Sequence, residues 1–241
     1  MLSLPRQLTG SAKRHPVRRT LQHIGQSVSH IPPSPDGTGN RTCRPAHSSP
    51  LRGYAGPGTA TDRLHHFLQW SQVRCFRSHF QAGNKGFMPI EQDWRRQVAG
   101  KVADYGQATL WWLNDAPRTT LVIESADRKT AIKLFDTVYH SLDIQPGEDE
   151  PMMNVLVMYE DNKWIVFVFP RAKHRPACYT AEGDANLLSS PASVDLGGVF
   201  ITPVEKDFIK ITAEDIAQIL GEVCLSPADF QKVRKRIQEQ L

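Results

Sequence analysis

The chain has 241 residues, 40% of them hydrophobic and 22% charged, which fits one soluble globular domain or a domain carrying a long arm. No apolar run approaches the roughly 20 residues that cross a bilayer. The four cysteines, at positions 43, 75, 178 and 224, have no CxxC spacing, so a membrane span, a disulfide scaffold and a zinc ribbon are all disfavoured.

The net charge of +4 hides a split. Residues 1–78 hold 11 Lys and Arg against 2 acidic residues, whereas residues 79–241 hold 18 against 23. The first segment also carries 8 of the 17 prolines and 6 of the 9 histidines, and no glutamate. IPPSP at 31–35, DGTGN at 36–40 and AGPG at 55–58 read as turn upon turn. Such a stretch buries too little apolar surface to offset its chain entropy, and the expectation is disorder. A mitochondrial transit peptide is Arg-rich and acid-poor in the same way, but this segment is long for one. A basic arm for phosphate backbones is a second origin; the arginines are scattered and aromatics are few among them, Trp70 and Phe76 lying nearest the end of the segment, which disfavours nucleic acid as a partner. A third origin is translation in a displaced frame. Codons for residues 54–78 can be chosen so that the frame shifted by one base reads MLDLARQLTDYIIFYNGPKCGASAP, and the same shift turns residues 23–36 into ILVNPFPIFPRHLT. Both hidden strings have the pattern of folded protein: an amphipathic helix then a strand, and an apolar strand entering a Pro-Arg-His turn.

From residue 79 the chain reads as an ordered domain. The run HFQAGNKGFMPIE occupies 79–91, and its Gly83-Asn84-Lys85-Gly86 part is a tight turn. Residues 91–102 are helix-compatible, with Trp94 and Val98 four apart. TLWWL at 109–113 and the apolar run ending at Glu124 form strands on either side of Asp115-Ala116-Pro117-Arg118. Residues 129–142 make an amphipathic helix with Ile132, Phe135, Val138 and Tyr139 on one face. Residues 153–159 and 164–169 form a hairpin about Glu160-Asp161-Asn162. Met153, Val155, Val157, Ile165, Phe167 and Phe169 should supply much of the core. A short strand is expected at 199–202. Thr212 opens a helix running to about Cys224, and Ser226-Pro227 caps a last one whose end carries Lys232, Arg234, Lys235 and Arg236.

The hidden strings, the run at 79–91, FPRAKHRP at 169–176 and SPASVDLGGVFITP at 190–203 together resemble a bacterial group, domain-of-unknown-function family 4922, found in Bacteroides-like organisms. Its relatives resemble the nucleotide-sugar phosphorylases and nucleotidylyltransferases of the histidine-triad (HIT) superfamily, such as GDP-L-galactose phosphorylase. That superfamily carries His-x-His-x-Gln on a strand. The resemblance places His79 at the second histidine and Gln81 at the glutamine. Here Arg77-Ser78 runs directly into His79, so the first histidine has no counterpart, and a small deletion beside His79 would both remove it and restore the frame.

The chemistry so implied is nucleotidyl transfer through a covalent histidine. An imidazole with a pKa near ~6.5 is partly unprotonated at neutral pH and can attack the α-phosphorus through one ring nitrogen. On a strand His79 and Gln81 share a face about 7 Å apart, so the Gln81 amide can donate to phosphate oxygens as charge builds. An ordinary strand histidine is the competing reading. Asn84 and Lys85 in the glycine turn could meet a phosphate or form a plain connector. Arg171, Lys173, His174 and Arg175 suit a nucleotide or sugar phosphate, or form a solvated charge run. Neither a metal site nor a cofactor is expected.

The fold expected is therefore α+β: a HIT-like antiparallel sheet with flanking helices, incomplete, preceded by a disordered segment. The division falls between 1–78 and 79–241. The leading function is a nucleotidyltransferase or nucleotide-sugar phosphorylase acting through a nucleotidyl-histidine in the cytoplasm, impaired in this chain by the missing histidine. A non-catalytic nucleotide- or polyanion-binding protein is the alternative, and a basic arm on a scaffold domain a third reading.

Overall fold

The computed structural model of the chain describes residues 64–68 and 80–241, with side chains from Gly83 onward. The expectations for residues 1–63 and 69–79, His79 among them, and for the Gln81 side chain lie outside the described residues. In chain order the elements are β1 (Leu64–Leu68), β2 (Phe80–Asn84), α1 (Pro89–Gln97), β3 (Val98–Tyr105), β4 (Ala108–Leu113), β5 (Leu121–Ser125) and α2 (Arg128–Ser141). Then follow β6 (Met153–Glu160), β7 (Lys163–Pro170), 3-10 turns at Ala177–Tyr179 and Gly183–Ala185, α3 (Ser193–Leu196), α4 (Glu205–Lys210), α5 (Ala213–Val223) and α6 (Pro227–Gln240). The strands form a seven-stranded sheet in the order β2-β1-β6-β7-β5-β4-β3. Every neighbouring pair is antiparallel, as the α+β expectation requires.

The β6–β7 hairpin is the spine. Its turn places Asp161 and Asn162 at φ 50° and 60°, the left-handed region that these two residue types tolerate and that matches strand twist. Alternation sends Val155, Val157, Val166 and Val168 to one face, where α2 and α6 cover them with Leu134, Phe135, Val138, Phe230, Val233 and Ile237. Leu156, Met158, Ile165, Phe167 and Phe169 point to the other face, against Met88, Ile90 and Trp94 of α1 and its entry, Leu196 of α3, and Leu220 and Val223 of α5. All six residues expected in the core are buried, but on opposite sides of the sheet: Met153, Val155 and Val157 on one, Ile165, Phe167 and Phe169 on the other. Each such apolar side chain contributes about 1.5–3 kcal/mol on burial.

The helix starts follow local chemistry. Thr212 and Asp215 cap α5 reciprocally, and Asp127 accepts from the Thr130 amide at the start of α2 (2.8 Å). Pro89 begins α1, where a missing N–H costs nothing, and Glu91 accepts from the Met88 amide (2.9 Å).

Several expectations are corrected. The helix read over 91–102 ends at Gln97, and Val98–Tyr105 is an edge strand. Its Gly100 lies under the Trp112 ring, where a Cβ would come within 2.8 Å of Nε1. Residues 199–202 form no strand; no partner strand reaches them, and the Ile201 amide instead donates to Asp195 Oδ1 (2.7 Å). The basic run at 232–236 lies inside α6 rather than at its end, with Arg234 stacked 4.0 Å over Trp112 and Arg236 paired with Asp143. β1 falls within the 1–78 segment, where the sequence reading assigned no strand; pairing with β2 on one side and β6 on the other defines it.

Candidate functional site

The register of the sheet sorts the expected site residues between its two ends. Phe80 stands opposite Leu68, Leu68 opposite Val155, and Val155 opposite Val168. The start of β2, next to His79, is thus level with the end of β7, three residues before Arg171. Gln81 stands opposite Phe67, itself opposite Leu156. Asn84, by contrast, closes β2 at the hairpin-turn end, and the chain then turns through Lys85 and Gly86, whose φ is +84°.

At that turn end Lys85 is occupied. Its Nζ donates to the Tyr159 carbonyl (3.0 Å) and lies 3.6 Å from Glu160. Glu160 reaches Arg95 (4.0 Å), and Glu124 joins Arg95 (3.3 Å) to Lys163 (3.0 Å), which closes an alternating chain of charges. Partial burial works against ionisation of Glu124, but its bonds to Lys163 and Arg95 prevail and hold its carboxyl below the usual range. From Glu160 back to Met153 is about 23 Å of strand. Asn84 and Lys85 are therefore far from the basic loop at 171–175.

The opposite end is built around Arg171, 8% exposed and the first residue after β7. Its Nη1 donates to Asn154 Oδ1 (2.7 Å) and the Pro191 carbonyl (2.5 Å), Nη2 to the His174 carbonyl (2.8 Å) and Nε to the Lys173 carbonyl (3.1 Å). Asn154 Nδ2 in turn donates to Ser193 Oγ at the start of α3 (3.3 Å). Burial pulls the guanidinium below its usual pKa, while Cys224 and Asp195 pull it back. Asp195 accepts from the Ala192 and Ile201 amides (2.8 and 2.7 Å), and burial pushes its carboxyl up in spite of them. The backbone is held as well: the Ala172 and Lys173 amides donate to the Val223 carbonyl (2.9 and 3.4 Å), and the Ala177 amide donates to Glu222 (2.8 Å).

The four basic residues of the loop do not behave alike. Arg171 faces inward. Lys173 is exposed, 3.7 Å from Glu222, and Arg175 is exposed with its guanidinium 4.0 Å above the Tyr179 ring. His174 is half-buried; burial first, then Arg171 and Arg175, lower its pKa, so its ring is neutral at pH 7. Beside them, Arg118 donates to the Leu196 carbonyl (2.6 Å) and lies 3.4 Å from Asp115, which accepts from Thr120 Oγ1 (2.6 Å). Burial pushes the Asp115 carboxyl up, against Arg118 and Thr120. Cys224, buried under the same loop, is pushed up to about 11 by burial despite Arg171 nearby, so it is a thiol at neutral pH.

Sequence reasoning did not single out Asn154, Ser193, Asp195, Asp115, Arg118 or Glu222. The 190–203 motif contains Ser193 and Asp195, and Asp115 and Arg118 were read only as the ends of a turn. Among the described residues no group of three His, Cys, Asp or Glu side chains is placed to hold a metal ion. No helix among them is long and apolar enough to cross a membrane.

A family model described as GDPGP1-like, C-terminal domain, matches residues 91–241. The chain belongs to this family. The GDPGP1-like domain thus holds the whole 171–175 loop, α3 and the Asp115–Arg118 turn, and begins after His79, Gln81, Asn84 and Lys85. Membership supports a relationship to nucleotide-sugar phosphorylases for this stretch. No curated protein and no solved structure matches the chain.

Proposed function

We propose that this chain is a nucleotide-sugar phosphorylase-type nucleotidyltransferase, within the bacterial branch resembling domain-of-unknown-function family 4922. The observation that carries the reading is the sheet register: it sets the residue after His79 at the same end of the sheet as the loop that presents Lys173 and Arg175. Three interstrand spacings, about 14 Å, separate β2 from β7 there, and β1 and β6 lie between them. The family relationship adds the substrate class.

In the proposed reaction a His79 ring nitrogen attacks the α-phosphorus of a nucleoside diphosphate sugar. The bond to the bridging oxygen breaks and sugar 1-phosphate leaves, with a nucleoside monophosphate on the imidazole. Inorganic phosphate then attacks the same phosphorus, giving the nucleoside diphosphate and free histidine. Gln81 donates to the non-bridging oxygens as charge develops. Lys173 and Arg175 hold the phosphates, which suits their exposure and charge.

The test compares this chain with one whose residues 23–78 follow the displaced frame, histidine included, each given GDP-hexose and phosphate. The restored chain is expected to release GDP and to carry an acid-labile nucleotidyl group at His79, lost in His79→Asn; this chain is expected to turn over more slowly. Neither GDP nor an adduct from the restored chain would remove the reading. Nucleotide binding without turnover in both chains would favour the non-catalytic alternative.

A further inference from the structure

We infer that the basic residues after β7 divide into two roles: Arg171 is a positioning residue that shapes the loop from within, and Lys173 with Arg175 form the pair that meets a nucleotide's phosphates. This rests on the proposed nucleotide-sugar reading of the same site.

The loop curls around its own arginine. Nε and Nη2 of Arg171 donate to the carbonyls of Lys173 and His174, two and three residues further on. Nη1 fixes the same guanidinium to Asn154 on β6 and to Pro191 before α3. From outside, the Val223 carbonyl holds Ala172 and Lys173, and Glu222 holds the Ala177 amide. With both flanks fixed and the inside filled by a planar fork of donors, the side chains of Lys173 and Arg175 are left exposed to solvent. For Arg171 to reach a ligand it would have to abandon Asn154 and three carbonyls. Buried acceptors left unpaired are costly, so its place is inside.

The outer pair is arranged differently. Arg175 sits over the Tyr179 ring, which limits its rotamers without neutralising it, and has no carboxylate partner among the described residues. Lys173, with its side chain 58% exposed, has only the loose 3.7 Å contact to Glu222, and Glu222 also accepts from Ala177 and Gln218. A single 3.7 Å contact made by a mostly exposed lysine holds weakly and yields readily to a phosphate. Arg175 matches phosphate oxygens through a bidentate fork, and Lys173 adds a point charge. Charge and exposure fit a phosphate-bearing ligand, and the proposed nucleotide-sugar reading makes it a nucleoside diphosphate, bare or sugar-linked.

Isothermal titration of the full chain with GDP and with ADP tests the division, at a temperature well below every variant's melting point. Lys173→Ala and Arg175→Ala should each raise Kd about tenfold, the worth of one charge-assisted hydrogen bond, and leave Tm unchanged. Arg175→Lys should recover part of the loss. Arg171→Lys should lower Tm and raise Kd. Leu134→Ala, which opens the α2 side of the core away from the loop, should lower Tm and leave Kd as it is. If the wild-type chain binds and the Lys173 and Arg175 variants bind equally well, the phosphate pair is wrong. If Arg171→Lys changes Tm alone, as Leu134→Ala does, Arg171 has no positioning role. A wild-type chain that binds neither nucleotide defeats the proposed function itself, and this inference with it.

Discussion

Replacing Arg171 by methionine keeps most of the side-chain volume and removes four hydrogen bonds from a residue only 8% exposed. Bonds to a charged donor are worth about 1.5–3 kcal/mol each, but these four share one guanidinium whose burial opposes them. Breaking a buried charged network from one side costs about 3–5 kcal/mol, and that is the expected loss. For a chain of this size it corresponds to a fall in Tm of about 6–20 °C. The Asn154 contact can be isolated by a double-mutant cycle with Asn154→Ala in urea denaturation. A coupling of about 1.5–3 kcal/mol is expected from the 2.7 Å bond. A loss below about 1 kcal/mol in the single variant, or a coupling near zero, would refute the claim that Arg171 ties β6, its own loop and the approach to α3 together.

Gly197→Ala should cost about 1–3 kcal/mol, because the new Cβ would overlap Met88 Sδ and come within 3.2 Å of Leu156 Cδ1; adding Met88→Ala should make the double variant more stable than the two losses predict, and simple additivity would count against the packing argument. Burial, and next to it the charge of Asp149, raise the Glu150 carboxyl from 4.5 to about 7. The folded chain therefore binds the extra proton between these values, so stability is fully present below about 4.5 and declines as pH rises through about 7. Glu150→Gln should flatten that slope in melting curves taken from pH 4 to 8, and an unchanged slope would exclude Glu150 as its source. Lys85→Ala should cost about 0.2–1 kcal/mol at low salt, less in 1 M salt, and leave GDP binding unaltered, since its ion chain is only partly buried and lies at the far end of the sheet; a large rise in Kd would return Lys85 to the nucleotide site.

Where the signal was local, it was legible. Asp161-Asn162 between two apolar runs, the Thr212 and Ser226 caps and the 3.6-residue period of α2 each gave their element directly. β3 was not legible because Trp94 and Val98 sit four apart like one helix face, although the chain leaves the helix between them. The β-branched run near Val199 looked like a strand, yet a strand needs a neighbour, and pairing is a property of the whole sheet. The buried central strands hid which face each residue serves, because both faces are apolar and alternation carries no polar mark. The site follows the same division. A cluster of bases after β7 was visible, but not that Arg171 turns inward, since its acceptors come from β6, the Pro191 segment and the loop itself. Lys85 had the local chemistry of a phosphate turn, and only strand register places it at the opposite end of the sheet from the 171–175 loop.

Photo-crosslinking with the β-azidoanilide of GDP, whose reactive group sits at the phosphate end, followed by peptide mapping of the full chain, tests the central claim most directly. The account predicts label confined to the peptides that contain residues 173–179 and 79–81, suppressed by excess GDP and reduced in Lys173→Ala. Competed label concentrated instead around Lys85 and Glu160, or on the α2–α6 face of the sheet, would contradict it.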